Sequence, residues 1–141
     1  MQSLHNSYHL PAQTLENIEN LKQKIHEYKE GKITADQFKE HRVLQGIYEQ
    51  RQAGTFMIRV RFPAGILLPH QMRALSKVSV QHGNGILHVT TRQDIQIHRA
   101  NLDSLHPALL DLYNAEIFAD LDTKLKGALF KIIFKKGDGK K

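Results

Sequence analysis

Phe56, Ile58, Val60 and Phe62 alternate with Met57, Arg59 and Arg61. A period of two marks a strand with one apolar face, and the opposite face here carries two arginines. Pro63-Ala64-Gly65 breaks the alternation. From Pro69, a residue suited to the first turn of a helix, Met72, Leu75, Val78 and Val80 are spaced for an amphipathic helix that ends at Gly83-Asn84-Gly85. Alternation then returns, with Leu87, Val89 and Thr91 on one face and Ile86, His88, Thr90 and Arg92 on the other. Thr91-Arg92-Gln93-Asp94 interrupts the apolar face, after which Ile95 and Ile97 alternate with Gln96 and His98. A further helix runs from about Asp103 through Leu105, Leu109, Leu110 and Leu112. The order is β-α-β-α. A right-handed crossover makes the two strands parallel, side by side or with one strand between them.

Upstream, Leu15, Ile18, Leu21, Ile25 and Tyr28 recur at helical spacing, with Thr14 as N-cap and Gly31 as terminator. Thr34 and Gln37 have the spacing of a capping box for a second helix through Phe38, His41 and Leu44, closed by Gly46. The predicted organisation is a helical arm over residues 1–45, loose as far as Gln13, then an α+β unit over 46–122 and a basic tail over 123–141. In that tail Leu125, Leu129, Ile132 and Ile133 are spaced for one face of a short basic helix. Its last five residues are expected to be floppy.

A length of 141 residues suits one domain with an arm and excludes two large domains. With 0 Cys, these residues can supply neither a disulfide, nor thiolate chemistry, nor the ligands of an iron–sulfur cluster. No apolar run approaches the ~20 residues of a membrane span, and no signal sequence opens the chain. The expected compartment is the cytoplasm.

Charge changes the picture more than length does. The net charge of +6 is unevenly placed: residues 1–49 carry −1, 50–101 carry +6, 102–122 carry −5 and 123–141 carry +6. The first positive stretch is mostly Arg, whose planar fork of donors suits oxyanions. The second is all Lys. If the apolar strand faces pack on the helices, the opposite face gathers Arg59, Arg61, His88, Thr90, Arg92, Gln96 and His98, with Asp94 the single acid among them. That is a face for an anion with several oxygens, or simply a solvated outer sheet face. The His spacing matches no zinc pattern, and no nucleophile stands out. Gly83-Asn84-Gly85 precedes a strand and is a turn, not a phosphate cradle.

Specific residues narrow the choice. Gly46-Ile47-Tyr48-Glu49-Gln50-Arg51, followed by Gly54-Thr55-Phe56-Met57-Ile58-Arg59-Val60-Arg61, resembles the start of the ferredoxin-like half-domain of sirohaem-dependent nitrite and sulfite reductases. The run from Gly83 to His98, with its Thr90-Thr91-Arg92-Gln93 core, resembles that family's most telling signature. The resemblance covers about Leu44 to Leu112. It implies a ferredoxin-like half-domain that occurs twice per chain about a pseudo-twofold axis. It implies sirohaem, a tetrapyrrole with carboxylates, linked through a cysteine thiolate to a [4Fe–4S] cluster for the six-electron reduction of sulfite or nitrite. It places Arg61, with Arg59 beside it, where the anionic substrate binds. It places Thr90, Thr91, Arg92, Gln96 and His98 against the macrocycle or its carboxylates, with His88 where an arginine is common. The chain then reads as the N-terminal piece of such a reductase or a stand-alone relative, not catalytic alone and not a stable holder of either cofactor. The resemblance also implies a homodimer imitating the paired halves, or a cluster-bearing partner chain. The competing class is a binding module for RNA or another polyanion, or a structural or regulatory subunit. RNA binding needs aromatics on the sheet, and the strand residues of the positive face include none.

Overall fold

The computed structural model describes residues 12–62 and 65–117. The basic tail 123–141 and the N-terminal stretch up to residue 11 lie outside them. The element order is α1 (Ala12–Lys29), α2 (Ala35–Leu44), β1 (Ile47–Glu49), β2 (Thr55–Val60), α3 (Pro69–His82), β3 (Leu87–Val89), β4 (Ile95–Asn101) and α4 (Leu105–Asn114), with a single 3-10 turn between β4 and α4. This is an α+β ferredoxin-like half-domain with a helical region ahead of it.

Helix α1 starts two residues before Thr14, so Thr14 is not its cap. Thr14 lies in the buried stripe with Ile18, Leu21 and Ile25, while Leu15, expected in that stripe, is 37% exposed. A stripe read as 14/18/21/25 follows the helical repeat more closely than one begun at Leu15. The helix ends as expected at Gly31, whose φ of +71° suits a residue without a Cβ. The Gly31 N–H donates to Tyr28 O and the Lys32 N–H to Glu27 O, the paired bonds of a Schellman termination. In α2 the capping box forms: Gln37 N–H donates to Thr34 Oγ1 at 3.2 Å, and Thr34 N–H to Gln37 Oε1 at 2.9 Å.

The four strands form one antiparallel sheet in the order β1-β2-β4-β3. The stretch read as one interrupted strand from Ile86 to His98 is a hairpin. Thr90 N–H donates to Asp94 O, and the Thr90 hydroxyl accepts from the N–H groups of Arg92 and Asp94. The chain therefore reverses around Thr91-Arg92-Gln93 and never runs on as a strand there. Since β4 is antiparallel to both neighbours, β2 and β3 are parallel with one strand between them, the second of the two crossover arrangements. Strand β1 was not visible in the sequence. Ile47 pairs with Ile58 and Tyr48 with Met57, adding an edge.

Phe56, Ile58, Val60, Ile95 and Ile97 turn one sheet face into the core, where they meet Leu75, Val78, Leu105, Leu109 and Leu112. Ile18, Leu21, Ile25 and Phe38 belong to the same core, so the helical arm and the sheet unit share one apolar interior. In α3 the buried stripe is Gln71, Leu75, Val78 and Ser79; Met72 and Val80, expected inside, are 45% and 69% exposed. Helix α4 lies between α1 and α3, tied to them by His106 with Glu19 and by His82 with Asp111. Gly83 ends α3 against the sheet: a Cβ there would stand 2.8 Å from both His98 O and Ile97 Cγ2. The adjoining Asn84 N–H donates to His98 O at 3.0 Å, which fixes β4 relative to the helix layer.

Candidate anion-binding face

Among the described residues no helix covers the other side of the sheet. Register places Arg59 opposite Gln96, and Gln96 opposite His88, in one row across β2, β4 and β3. Alternation puts Arg61 on the same side, two residues beyond Arg59, and Thr90 and Asp94 at the matching level where the hairpin closes. His98 lies one step along β4, its ring centroid 4.3 Å from that of His88. Five of the expected residues, Arg59, Arg61, His88, Gln96 and His98, thus share one face. Thr90 borders it, but its hydroxyl is engaged by the turn. Thr91 and Arg92 are exposed on the hairpin loop and belong to the rim, not to the strand row.

Two further residues on this side were missed. Alternation against buried Ile47 brings half-buried Tyr48 onto the open face, so the face does carry one aromatic. Gln50 follows β1 and reaches across to β4. Its Nε2 lies 2.8 Å from His98 Nδ1 and its Oε1 accepts the Arg99 N–H at 2.8 Å. Arg99 stands at φ +59°, where β4 has two residues, His98 and Arg99, against Met57 alone on β2. This is a β-bulge, a device that re-aims neighbouring side chains. No alternation pattern shows it.

The donors of the face are only partly used. Arg59 Nε lies 3.0 Å from Asp94 Oδ2, yet its N–H is not aimed along that line and makes no hydrogen bond. Arg61 Nε is buried without a hydrogen-bond partner, and Arg61 makes no ion pair among the described residues. A buried donor left unpaired costs about 1–3 kcal/mol. Arg59 already faces the Asp94 carboxylate, so of the two guanidinium groups Arg61 is the one with no anionic partner among the described residues. Gln96 Oε1 is taken by His98 Nε2 at 3.0 Å, while its amide NH2 has no hydrogen-bond partner among the described residues. Burial pulls the His98 imidazole below its ordinary value, and nearby His88 and Arg99 add to the shift. That shift favours the neutral imidazole over a positive charge at neutral pH. Among the described residues no three His, Asp or Glu side chains cluster in a way that could hold a metal ion. No helix among them is long and apolar enough to cross a membrane.

Residues 48–115 match the family model of the nitrite/sulfite reductase ferredoxin-like half domain. The chain is 38% identical to the sulfite reductase [NADPH] hemoprotein beta-component of Shouchella clausii over 63 residues, covering 40% of this chain and 11% of that protein. The protein of the same name from Bacillus subtilis gives 38% over 63 residues with the same coverage. That from Acidithiobacillus ferrooxidans gives 40% over 67 residues, 43% of this chain and 12% of the relative. The chain thus spans about a ninth of the length of the curated relatives it matches.

Proposed function

Residues 48–115 belong to the ferredoxin-like half-domain family of nitrite and sulfite reductases, and we propose that the open sheet face binds the carboxylates of a sirohaem-type tetrapyrrole and a small oxyanion beside it. The observation that carries this reading is the uncommitted donor set beside the Arg59–Asp94 pair: among the described residues Arg61 has neither a hydrogen bond at Nε nor an ion pair, and the Gln96 NH2 has no hydrogen-bond partner. Carboxylates and sulfur or nitrogen oxyanions are acceptor-only ligands, and charge-assisted bonds from arginine to them are among the strongest available. The donor set thus fits the group the family uses.

In this reading Arg61 and Arg59 hold the anionic substrate, and Gln96 donates to a ring carboxylate. His88 and His98 offer two neighbouring imidazole rings, tilted by 36° to each other, beside them. Thr91 and Arg92 reach in from the hairpin rim. Sirohaem, when bound, supplies the iron at which sulfite or nitrite takes up electrons. The chain's own part is to bind, to orient and to balance charge. A thiolate and a [4Fe–4S] cluster would come from cysteines outside these 141 residues, on another segment or a partner chain. An apolar outer strand fits a pairing role as well: Ile86 and Val89 beside the β3 edge are 55% and 78% exposed. A second copy, imitating the family's paired halves, would cover them. A monomeric mass by light scattering would remove that part of the proposal.

The test is an absorbance titration of the full chain with sirohaem. Arg61→Ala removes no hydrogen bond or ion pair made among the described residues, so the fold should persist. Loss of a charge-assisted bond worth about 1.5–3 kcal/mol should weaken binding roughly 10- to 100-fold. Arg92→Ala, at the exposed rim, should cost about threefold or less. Equal affinity of parent and Arg61→Ala overturns the assignment. A salt-dependent shift with single-stranded RNA in the absence of sirohaem binding would favour a polyanion-binding module in its place.

A further inference from the structure

The hydrogen bonds that end on Gln96 begin at a group whose polarity is fixed. The Arg99 backbone N–H can only donate, and it donates to Gln50 Oε1 at 2.8 Å. The other end of the Gln50 amide is then its NH2, which lies 2.8 Å from His98 Nδ1 and must donate to it. His98 Nδ1 is therefore an unprotonated acceptor. The ring proton sits on Nε2, which donates to Gln96 Oε1 at 3.0 Å. That leaves the Gln96 NH2 as the group without a partner among the described residues.

We propose that Gln50 and His98 are positioning residues that lock the Gln96 amide with its NH2 available to the ligand, so that the face selects oxyanions and turns away cations. This inference rests on the anion-binding reading of the same face and adds the origin of its selectivity. A free glutamine amide presents either an acceptor or a donor. Here the acceptor is engaged from behind, and the order of donors is set by one main-chain N–H. The β-bulge gives this arrangement its reason. A non-glycine residue at positive φ is strained by about 1–2 kcal/mol. At Arg99 that conformation directs the N–H to Gln50, while the bulge sets His98 between Gln50 and Gln96. A neutral His98 is required, because an imidazolium could not accept from Gln50. The charged and titratable groups on this side are His88 from β3, Arg99 on β4 itself, Arg59 and Arg61 from β2, Tyr48 from β1 and Asp94. Burial, His88 and Arg99 all act against His98 protonation.

The test uses the full chain and uroporphyrin, a metal-free tetrapyrrole with eight carboxylates. Long-range proton–nitrogen NMR on the parent should show His98 neutral with its proton on Nε2, and the Gln96 NH2 resonances should shift on addition of the porphyrin. Gln50→Leu should allow both tautomers and weaken porphyrin binding roughly two- to tenfold, the cost of ordering one side chain anew. Gln96→Glu should leave the His98 tautomer unchanged yet weaken binding by at least about tenfold, because a carboxylate cannot donate to one. The amide resonances of Ile58 and Ile97 report that each variant is folded. A parent His98 with its proton on Nδ1, or doubly protonated at neutral pH, overturns the inference. So does a Gln50→Leu variant with parental tautomer and affinity. A parent that binds no porphyrin while showing the Nε2–H tautomer overturns the anion-binding reading, and with it the ligand role given to Gln96.

Discussion

Among the described residues Asp94 is the one acid beside the donors of the open face, and its removal should separate stability from binding. Its carboxylate lies 3.0 Å from Arg59 Nε, with side-chain exposures of 12% for Asp94 and 21% for Arg59. Fully exposed pairs are worth about 0.2–1 kcal/mol. Breaking a fully buried pair from one side costs about 3–5 kcal/mol. This pair lies between those limits, and its geometry lacks a directed hydrogen bond. Asp94→Asn preserves volume, the backbone bonds to Thr90 and one side-chain oxygen. The expected loss is therefore about 2 kcal/mol, to be read as a urea midpoint lowered by about 1 M at unchanged slope.

Binding should move the other way. Arg59 loses its internal counter-charge and gains freedom to meet a ligand, and a carboxylate arriving on the face no longer meets a like charge. At about 6 Å in a water-like medium that repulsion is worth roughly 0.7 kcal/mol, so uroporphyrin should bind at least about threefold tighter. The gain should shrink as salt is raised. A variant as stable as the parent, or one that binds the porphyrin more weakly, would falsify the view that Asp94 holds Arg59 in reserve.

Arg42 offers a purely structural comparison. It is 5% exposed, donates through Nη1 to Ile47 O at 3.0 Å and lies 5.6 Å from the Phe56 ring centroid. Arg42→Met should lower stability by about 2–4 kcal/mol, from an orphaned carbonyl plus a lost cation–π contact, measurable by thermal unfolding. An unchanged midpoint would show that β1 does not depend on this anchor. The His98 shift predicts a pH effect with a definite sign. Its folded value lies below the ordinary 6.5, so the unfolded chain binds the proton more readily. Stability should be full above that ordinary value and fall as pH drops below it toward the folded value. His98→Gln should flatten the pH dependence in that window; an unaltered slope would assign it to another group.

The face was legible in the sequence although the topology around it was not. Reading Ile86 to His98 as one interrupted strand put His88, Gln96 and His98 on one side. The hairpin does the same for a different reason. His88 pairs with Gln96, and Leu87 with Ile97, so residues of equal parity stand opposite each other and share a face. The turn consumed the very residues, Thr91 and Arg92, that the continuous reading placed on the sheet. Their position on the rim follows from the Thr90 hydroxyl capping two N–H groups, a local bond that periodicity does not encode. Strand β1 escaped notice because three residues are too short to establish a period, and its buried Ile47 owes its place to Arg42.

What could not be read is also what gives the face its chemistry. A strict alternation along β4 would oppose Met57 with one residue and leave the Gln50 carbonyl without the Arg99 N–H. His98 would then have no fixed tautomer, and Gln96 could show a ligand either end of its amide. The arginines alone would still attract anions, as any basic patch does. Attraction of that kind is long-ranged and weakly selective. Discrimination needs short-range donors whose alternatives are closed off. Here they are closed off by an extra residue in one strand and a glutamine from the loop beside it. The residue composition of the face thus sets which charge it draws in, and the irregularity at Arg99 sets which atoms it presents.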